Sequence, residues 1–325
     1  MPIAESDISI LIPTYRYRDK VVRAVESALA SGAGEIIVTD DRSGDGTIER
    51  LACFDDPRLK VLENEQNLGL WENHLHALSL ATRRWIKFIQ ADDYLLPGGL
   101  AAYAAAAEEG VTVVWCAPLV TDDETGKVWR FHDLSAARRM RSRQMLDALL
   151  YGGWILGTPS HMMLRVDAIE RDRQVWRRSI SADLVVGSIA AARGDTVLLP
   201  HGAIVQGAHP LQDVKTQGLR LALERRANSF AYLRKRPEPG LRKFANLWAI
   251  INMRSHLHGT VAGLVRGPER LHVLRAGMRT ATDLSLSDWR EAMTERALLS
   301  SVRQTRSNWT TIVDLDSVAR AVGAA

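Results

Sequence analysis

Two adjacent carboxylates, Asp92 and Asp93, close a run of apolar residues that begins at Trp85 and passes through Phe88-Ile89-Gln90-Ala91. Charges placed side by side at a strand end repel one another unless a cation or hydrogen bonds stabilise them. A hard divalent ion, Mn²⁺ or Mg²⁺, resolves that repulsion, because such ions take one or two carboxylates and leave substrate phosphates to complete the shell. The plainer alternative is that Asp93 caps a turn ahead of Pro97. Asp40-Asp41 follows an earlier apolar run in the same way. One of these carboxylates is suited to accept a hydrogen bond from a nucleobase or ribose; the alternative is an Asx-turn helped by Gly44 and Gly46. Glycine cradles for phosphate are missing. Gly44-Asp45-Gly46 has Glu49 in place of a third glycine, and no GxxxxGK[ST] loop occurs. Phosphates would then be neutralised through a metal.

Those carboxylates need elements to hold them. Short apolar runs predict strands over 8–12, 35–39, 59–62, 85–89 and 111–116. Between them, helices are predicted over 19–30, from Thr47, over 70–81, and from Pro97 to Glu108. The first of these carries Val21, Val22, Val25 and Leu29 on one face. Strands alternating with helices specify an α/β fold, with a mostly parallel sheet covered on both faces. Ligands bind such sheets at the carboxyl ends of the strands. The polar residues that follow strands therefore matter most: Pro13-Thr14-Tyr15, Asp40-Asp41, residues 64–67 and residues 90–93. Further on, the sequence predicts a hairpin over 120–131 turning at Glu124-Thr125-Gly126, a basic connector over 135–143 and a helix over 182–192. Beyond about residue 214 strand signals cease and helices predominate.

Taken in order, these features resemble family-2 glycosyltransferases of the GT-A fold, over about residues 8–212. The signatures are Ile10-Leu11-Ile12-Pro13-Thr14-Tyr15, then Ile36-Ile37-Val38-Thr39-Asp40-Asp41-Arg42-Ser43-Gly44-Asp45-Gly46-Thr47. Asn67-Leu68-Gly69 with Asn73, the strand ending at Asp92-Asp93, and Ala182-Asp183-Leu184 complete them. The resemblance implies a GT-A (Rossmann-like) mixed sheet flanked by helices, and a role for each matching residue. Pro13, Thr14, Tyr15 and Asp41 fall in the nucleotide pocket, and Asn67, Gly69 and Asn73 in the donor-side loop and helix. Asp92 would face the ribose or donor sugar, while Asp93 and His209 would hold metal. Asp183 stands in the place of the catalytic base, taking a proton from an acceptor hydroxyl as that oxygen displaces the nucleoside diphosphate with inversion. Several positions depart from the pattern. Arg16 replaces a frequent Asn, Arg42 a frequent Gly, Gln90 an acidic residue, His76 an Arg, and Ala182 the acidic neighbour of the base.

Residues 152–161 resemble the family's acceptor-side loop. Within it Trp154 is suited either to stack on a sugar or to fill core, and His161 is equally open. The resemblance divides the chain into a catalytic domain over 1–214 (nucleotide-sugar binding about 1–117, acceptor side about 118–214) and a basic helical region over 215–325. Residues 216–280 hold 13 Lys and Arg against three Glu. Such a face either stays solvated, packs in an oligomer, or docks peripherally on an anionic membrane; with no recognised motif, nucleic acid is a poor fit. A net charge of +4 tolerates an anionic partner without requiring one. The two cysteines, Cys53 and Cys116, form no CxxC pair, which with the absence of a leader predicts a cytoplasmic chain. The expected substrates are a nucleoside-diphosphate sugar, UDP-linked by default, and a glycan or lipid-linked acceptor of the cell surface. Two other readings are a non-catalytic nucleotide-sugar-binding protein and a sugar nucleotidyltransferase.

Overall fold

The computed structural model describes residues 2–130, 132–152, 155–179, 181–208, 219–266, 274–275, 278–279, 284–294, 313–314, 316 and 320. Its core is an eight-stranded sheet. Four strands in the N-terminal half are parallel: β1 (Ile8–Thr14), β2 (Glu35–Asp40), β3 (Leu59–Glu63) and β4 (Trp85–Phe88). Every residue of β1, β2 and β4 is buried, as expected of strands covered on both faces. β5 (Tyr94–Leu95) leaves this sheet directly after Asp93, and β6 (Val111–Cys116) returns to it.

Strand order explains where a ligand would sit. From β1 the chain builds outward to β2 and β3, then crosses to the other side of β1 to lay down β4. That reversal places a crevice beyond the carboxyl ends of β1 and β4. The residues that follow these two strands and β2 are the ones singled out from sequence. The far half of the sheet was harder to foresee. β11 (Met162–Arg165) runs antiparallel between β4 and β6, and β12 (Asp195–Leu199) pairs parallel with β6. The expected basic connector over 135–143 instead contains an edge strand, β10 (Arg138–Met140). Its arginines stay outside while Met140 is fully buried.

A second, four-stranded sheet joins β5, β7 (Leu119–Asp122), β8 (Val128–Trp129) and β13 (Ile204–Ala208). β7 and β8 form the predicted hairpin around Gly126, whose φ of 67° is the left-handed region that favours glycine. A short β9 (His132–Asp133) pairs with β14 (Val313–Asp314) near the end of the chain.

Helices cover both faces of the large sheet. On one face, α1 (Lys20–Leu29), α2 (Thr47–Leu51) and α4 (Gly99–Ala106) bury Val21, Val25, Leu51, Leu100 and Tyr103 against β1, β2 and β4. On the other lie α3 (Leu70–Leu80), α5 (Ser142–Gly152), α6 (Arg173–Arg178) and α7 (Ala182–Ala192). All eleven residues of α7 are buried, and its small side chains let it pack closely. α8 (Leu219–Arg234) and α9 (Leu241–Arg266) join this same core through Phe230, Leu233, Leu241 and Trp248. α10 (Leu286–Thr294) rests on α9 through Asp288, which accepts from Asn246 (2.7 Å). The position 214, where the sequence suggests a boundary, lies outside the described residues. Among the described residues no helix is long and apolar enough to cross a membrane.

Candidate active site

At the carboxyl edge of β1 and β2, a hydrogen-bond network shapes the first half of the crevice. The Asp41 carboxylate accepts from the Leu68 and Gly69 amides (2.7 and 2.8 Å) and from Asn64 Nδ2 (2.9 Å). Asn67 Nδ2 donates to the Asp41 carbonyl (3.2 Å). Asn73, in the first turn of α3, donates to the Thr39 carbonyl (3.0 Å) and accepts from Asn64. Asp41, Asn67, Gly69 and Asn73 are therefore one unit: they fix the loop between β3 and α3 against the end of β2. Asp40 is turned the other way, accepting from the Ser43 amide and hydroxyl, and burial raises its proton affinity.

Two further residues stand at the end of β1. Thr14 is buried, yet its hydroxyl has no hydrogen-bond partner. A buried orphan hydroxyl costs free energy, on the order of 1–3 kcal/mol, until something occupies it. Next to it, Tyr15 is 40% exposed, with the Arg16 guanidinium 5.1 Å from its ring centroid. Arg16 and Arg42 flank the pair in left-handed backbone, with φ of 57° and 56°. Asn and Gly are common at such positions because they adopt that conformation readily. The two departures noted in the sequence therefore place strained arginines at the rim.

The second half of the crevice is the turn after β4. Asp93 is buried and accepts from the Gly207 amide in β13 (2.9 Å) and from the Ser160 hydroxyl. Burial and the neighbouring Asp92 charge push its proton affinity well above the carboxylate range. Gly207 is required for close approach: a Cβ there would meet the Asp92 carbonyl at 2.5 Å. Asp92 lies at the crevice edge, 8% exposed, with its carbonyl 3.4 Å from an Arg23 nitrogen. Adjacent carboxyls, one with its proton affinity raised by burial and by its neighbour's charge, suit a cation. Two carboxylates match the number that Mg²⁺ or Mn²⁺ takes when a diphosphate completes the shell. Among the described residues no group of three or more His, Cys, Asp or Glu could cage a metal alone. The donor set therefore fits a metal shared with substrate.

Asp183 opens α7. Its Oδ1 accepts from the Ser181 hydroxyl and the Leu184 amide (2.9 Å), and the carboxyl is only 6% exposed. Burial outweighs these bonds and pushes its pKa up to about 7. It lines a small, mostly apolar cavity with His74, Phe88, Met162, Leu164 and Trp176. Phe88 ends β4, and His74 sits with its Nε2 2.8 Å from the Gln90 side-chain amide. Two of its lining residues, Phe88 and His74, thus lie beside the turn that carries Asp92 and Asp93. The cavity's aromatic wall excludes water from the carboxyl. That exclusion is what tunes Asp183 to neutral pH.

Of the other residues expected at the site, His161 is buried, with its Nε2 3.1 Å from the Gln206 side chain, and burial holds it neutral. It forms part of the wall behind Asp93. Trp154 and His209 lie outside the described residues. Pro13 is buried at the end of β1. Sequence reasoning held Asn64 only among the polar residues after β3 and Ser160 only within the 152–161 loop, and it passed over Gln206, Gly207 and Lys87. Only Lys87 had a signal, a single cation inside the apolar run Trp85-Ile86-Lys87-Phe88-Ile89.

The sequence model of Glycosyl transferase family 2 matches residues 9–173, which include the nucleotide-side network and the aspartate pair. The chain belongs to that family. It is 31% identical over 170 residues to an uncharacterized protein, MT1568, of Mycobacterium tuberculosis, covering 49% of this chain and 53% of that one. It is 33% identical over 96 residues to the succinoglycan biosynthesis protein ExoO of Rhizobium meliloti, covering 29% and 28%. The match thus spans about half the length of the first relative and under a third of the second. Among solved structures, residues 1–349 of S. aureus TarS in complex with UDP-GlcNAc superpose with a TM-score of 0.67. Identity there is 16%, over 97% of this chain and 90% of that one, and it establishes the GT-A arrangement as the shared fold.

Proposed function

We propose that this protein is an inverting, metal-assisted glycosyltransferase that moves a sugar from a UDP-sugar to a hydroxyl of a cell-surface glycan or lipid-linked acceptor. The observation that carries the reading is Asp183, a buried carboxyl at the head of α7, on a dry cavity, with a pKa of about 7. A general base works best when its pKa lies near the working pH.

The chain's own residues divide the work. Tyr15 and Thr14 receive the nucleoside, and Asp41 with Asn64, Asn67 and Asn73 holds the loop that borders it. Asp92 and Asp93 are the residues that would hold Mn²⁺ or Mg²⁺ when the nucleoside diphosphate is bound. When bound, that ion would stabilise the negative charge on the departing nucleoside diphosphate. Asp183 accepts the acceptor proton while the acceptor oxygen bonds to the anomeric carbon from the face opposite the leaving group. One displacement inverts the configuration, with no sugar–enzyme bond. Family membership supports this division, and the similarity to the succinoglycan biosynthesis protein ExoO and to TarS bound to UDP-GlcNAc supports the glycan and UDP assignments. The donor half is assigned to about residues 1–117, the acceptor half to about 118–214, and the basic helices to a peripheral contact with an anionic membrane.

The test is Asp183→Asn. It should lose transfer by a factor of at least 10³ while binding UDP with Mn²⁺ within twofold of wild type. Retained transfer would remove Asp183 as base. A wild-type protein that binds UDP but transfers no sugar to any acceptor would instead point to the non-catalytic binding protein.

A further inference from the structure

Lys87 occupies the middle of β4 and is fully buried. Its Nζ donates to the Ser160 carbonyl, and lies 3.3 Å from the Phe88 carbonyl and 3.5 Å from that of Met162. It also sits 4.5 Å above the Tyr103 ring. Three carbonyls and an aromatic face meet all of its donors. Burying an ammonium is costly, and an apolar side chain of similar length would usually be as stable or better there. The groups around Lys87 show what its amine donors organise.

Ser160 turns its hydroxyl to Asp93, and that same oxygen accepts the Gln90 amide (2.8 Å). Tyr103 donates to the His161 carbonyl (2.9 Å), and His161 contacts Gln206 (3.1 Å). The residue after Gln206 is Gly207, whose amide donates to Asp93 (2.9 Å). A closed ring results: Lys87, Ser160, Asp93, Gly207, Gln206, His161, Tyr103 and back to Lys87. It joins β4, α4, the turn that leads into β11, and β13 around Asp93. Residues 160–162, pinned through three successive carbonyls, also lead into the wall of the Asp183 cavity through Met162.

We infer that Lys87 is a positioning residue: by fixing the Ser160 carbonyl it aims the Ser160 hydroxyl, and so orients Asp93 for the metal-bound diphosphate. The inference rests on the metal-assisted reading proposed above. Buried, fully satisfied polar networks of this kind act as units, so their members should respond together.

Titration calorimetry of UDP, with and without Mn²⁺, separates the possibilities in wild type, Lys87→Met, Ser160→Ala and the double variant. The quantity of interest is the enhancement of UDP affinity by Mn²⁺. It should fall at least fivefold in each single variant, while metal-free UDP affinity stays within twofold. The double variant should be no worse than the weaker single one. In the metal-free protein, the Gly207 and Gln90 amides should exchange at least tenfold faster in Lys87→Met, with β2 and β3 amides unchanged. A lysine acting only through its charge would repel the metal, so its removal would raise the enhancement. An unchanged or raised enhancement, or effects that multiply in the double variant, overturns the inference. Should Lys87→Met not fold, Ser160→Ala decides alone by the same criterion. Wild type that binds no UDP, or gains nothing from Mn²⁺, removes the parent reading together with this one.

Discussion

At the scale of single residues, the site is built by withholding water from carboxyl groups. Asp183 is raised to about 7 by burial. An acid whose folded pKa exceeds its unfolded value near 4 binds protons more tightly when folded. Its contribution to stability is therefore fully present below about pH 4 and is lost as pH rises through about 7. Asp183→Asn keeps the neutral form and can still accept from Ser181 and Leu184. The variant should match wild type near pH 4 and become more stable by about 2–4 kcal/mol at pH 8. Thermal unfolding at several pH values reads this directly, and a constant difference across pH would show that the carboxyl is not desolvated. Turnover of the wild type should fall as pH drops below 7, for the same reason. A second prediction concerns Asp41. Asp41→Ala strands the Asn64 side chain and the Leu68 and Gly69 amides, which should cost about 2–4 kcal/mol in urea unfolding. Loss of under 1 kcal/mol would mean the loop repacks without it.

At the scale of elements, the donor half was largely legible in the sequence, and the reason is local. Strands β1, β2, β4 and β6 are largely apolar runs and β3 alternates apolar with polar residues, so their limits fall within about two residues of expectation. The helix at Ala182–Ala192 was legible despite Gly187 at its centre, because good helix formers and apolar residues flank that glycine on both sides. The acceptor half was not. β10 and β11 are three- and four-residue strands whose pairing is set by partners far along the chain. The site divides in the same way. Asp41, Asp92, Asp93 and Asp183 follow or open clear elements, whereas Ser160 and Gly207 matter only because β13 folds back against the β4 turn. Asp41, read as a base contact, proves to have three protein donors, which no spacing in the sequence reveals.

At the scale of the whole molecule, the basic helices are tied to the catalytic core. Arg193 at the end of α7 and Arg236 after α8 both pair with Glu170 and Glu238, at 2.8–3.3 Å. Burial works against the Glu238 charge, but the Arg236 and Arg193 guanidiniums hold its pKa at about 2. A depressed carboxylate stabilises above its unfolded pKa and loses that contribution as pH falls toward 2. Glu238→Gln should therefore cost about 1–3 kcal/mol at pH 7, and the deficit should shrink below pH 4. Exposed Leu221 lies in α8, and exposed Leu286 and Trp289 lie in α10. The protein should sediment with phosphatidylglycerol vesicles but not with phosphatidylcholine, and 0.5 M salt should release it by screening. Equal binding to both lipids would make the charge irrelevant. The central claim, a UDP-sugar site completed by metal, is tested most directly by thermal unfolding with UDP, GDP or dTDP, each with and without Mn²⁺, in wild type and Asp93→Ala. Ligand at 100 times its dissociation constant adds about 2.7 kcal/mol. The predicted result is a clear rise with UDP that requires Mn²⁺ and is lost in Asp93→Ala. A folded wild type that shifts with no nucleotide would contradict the account.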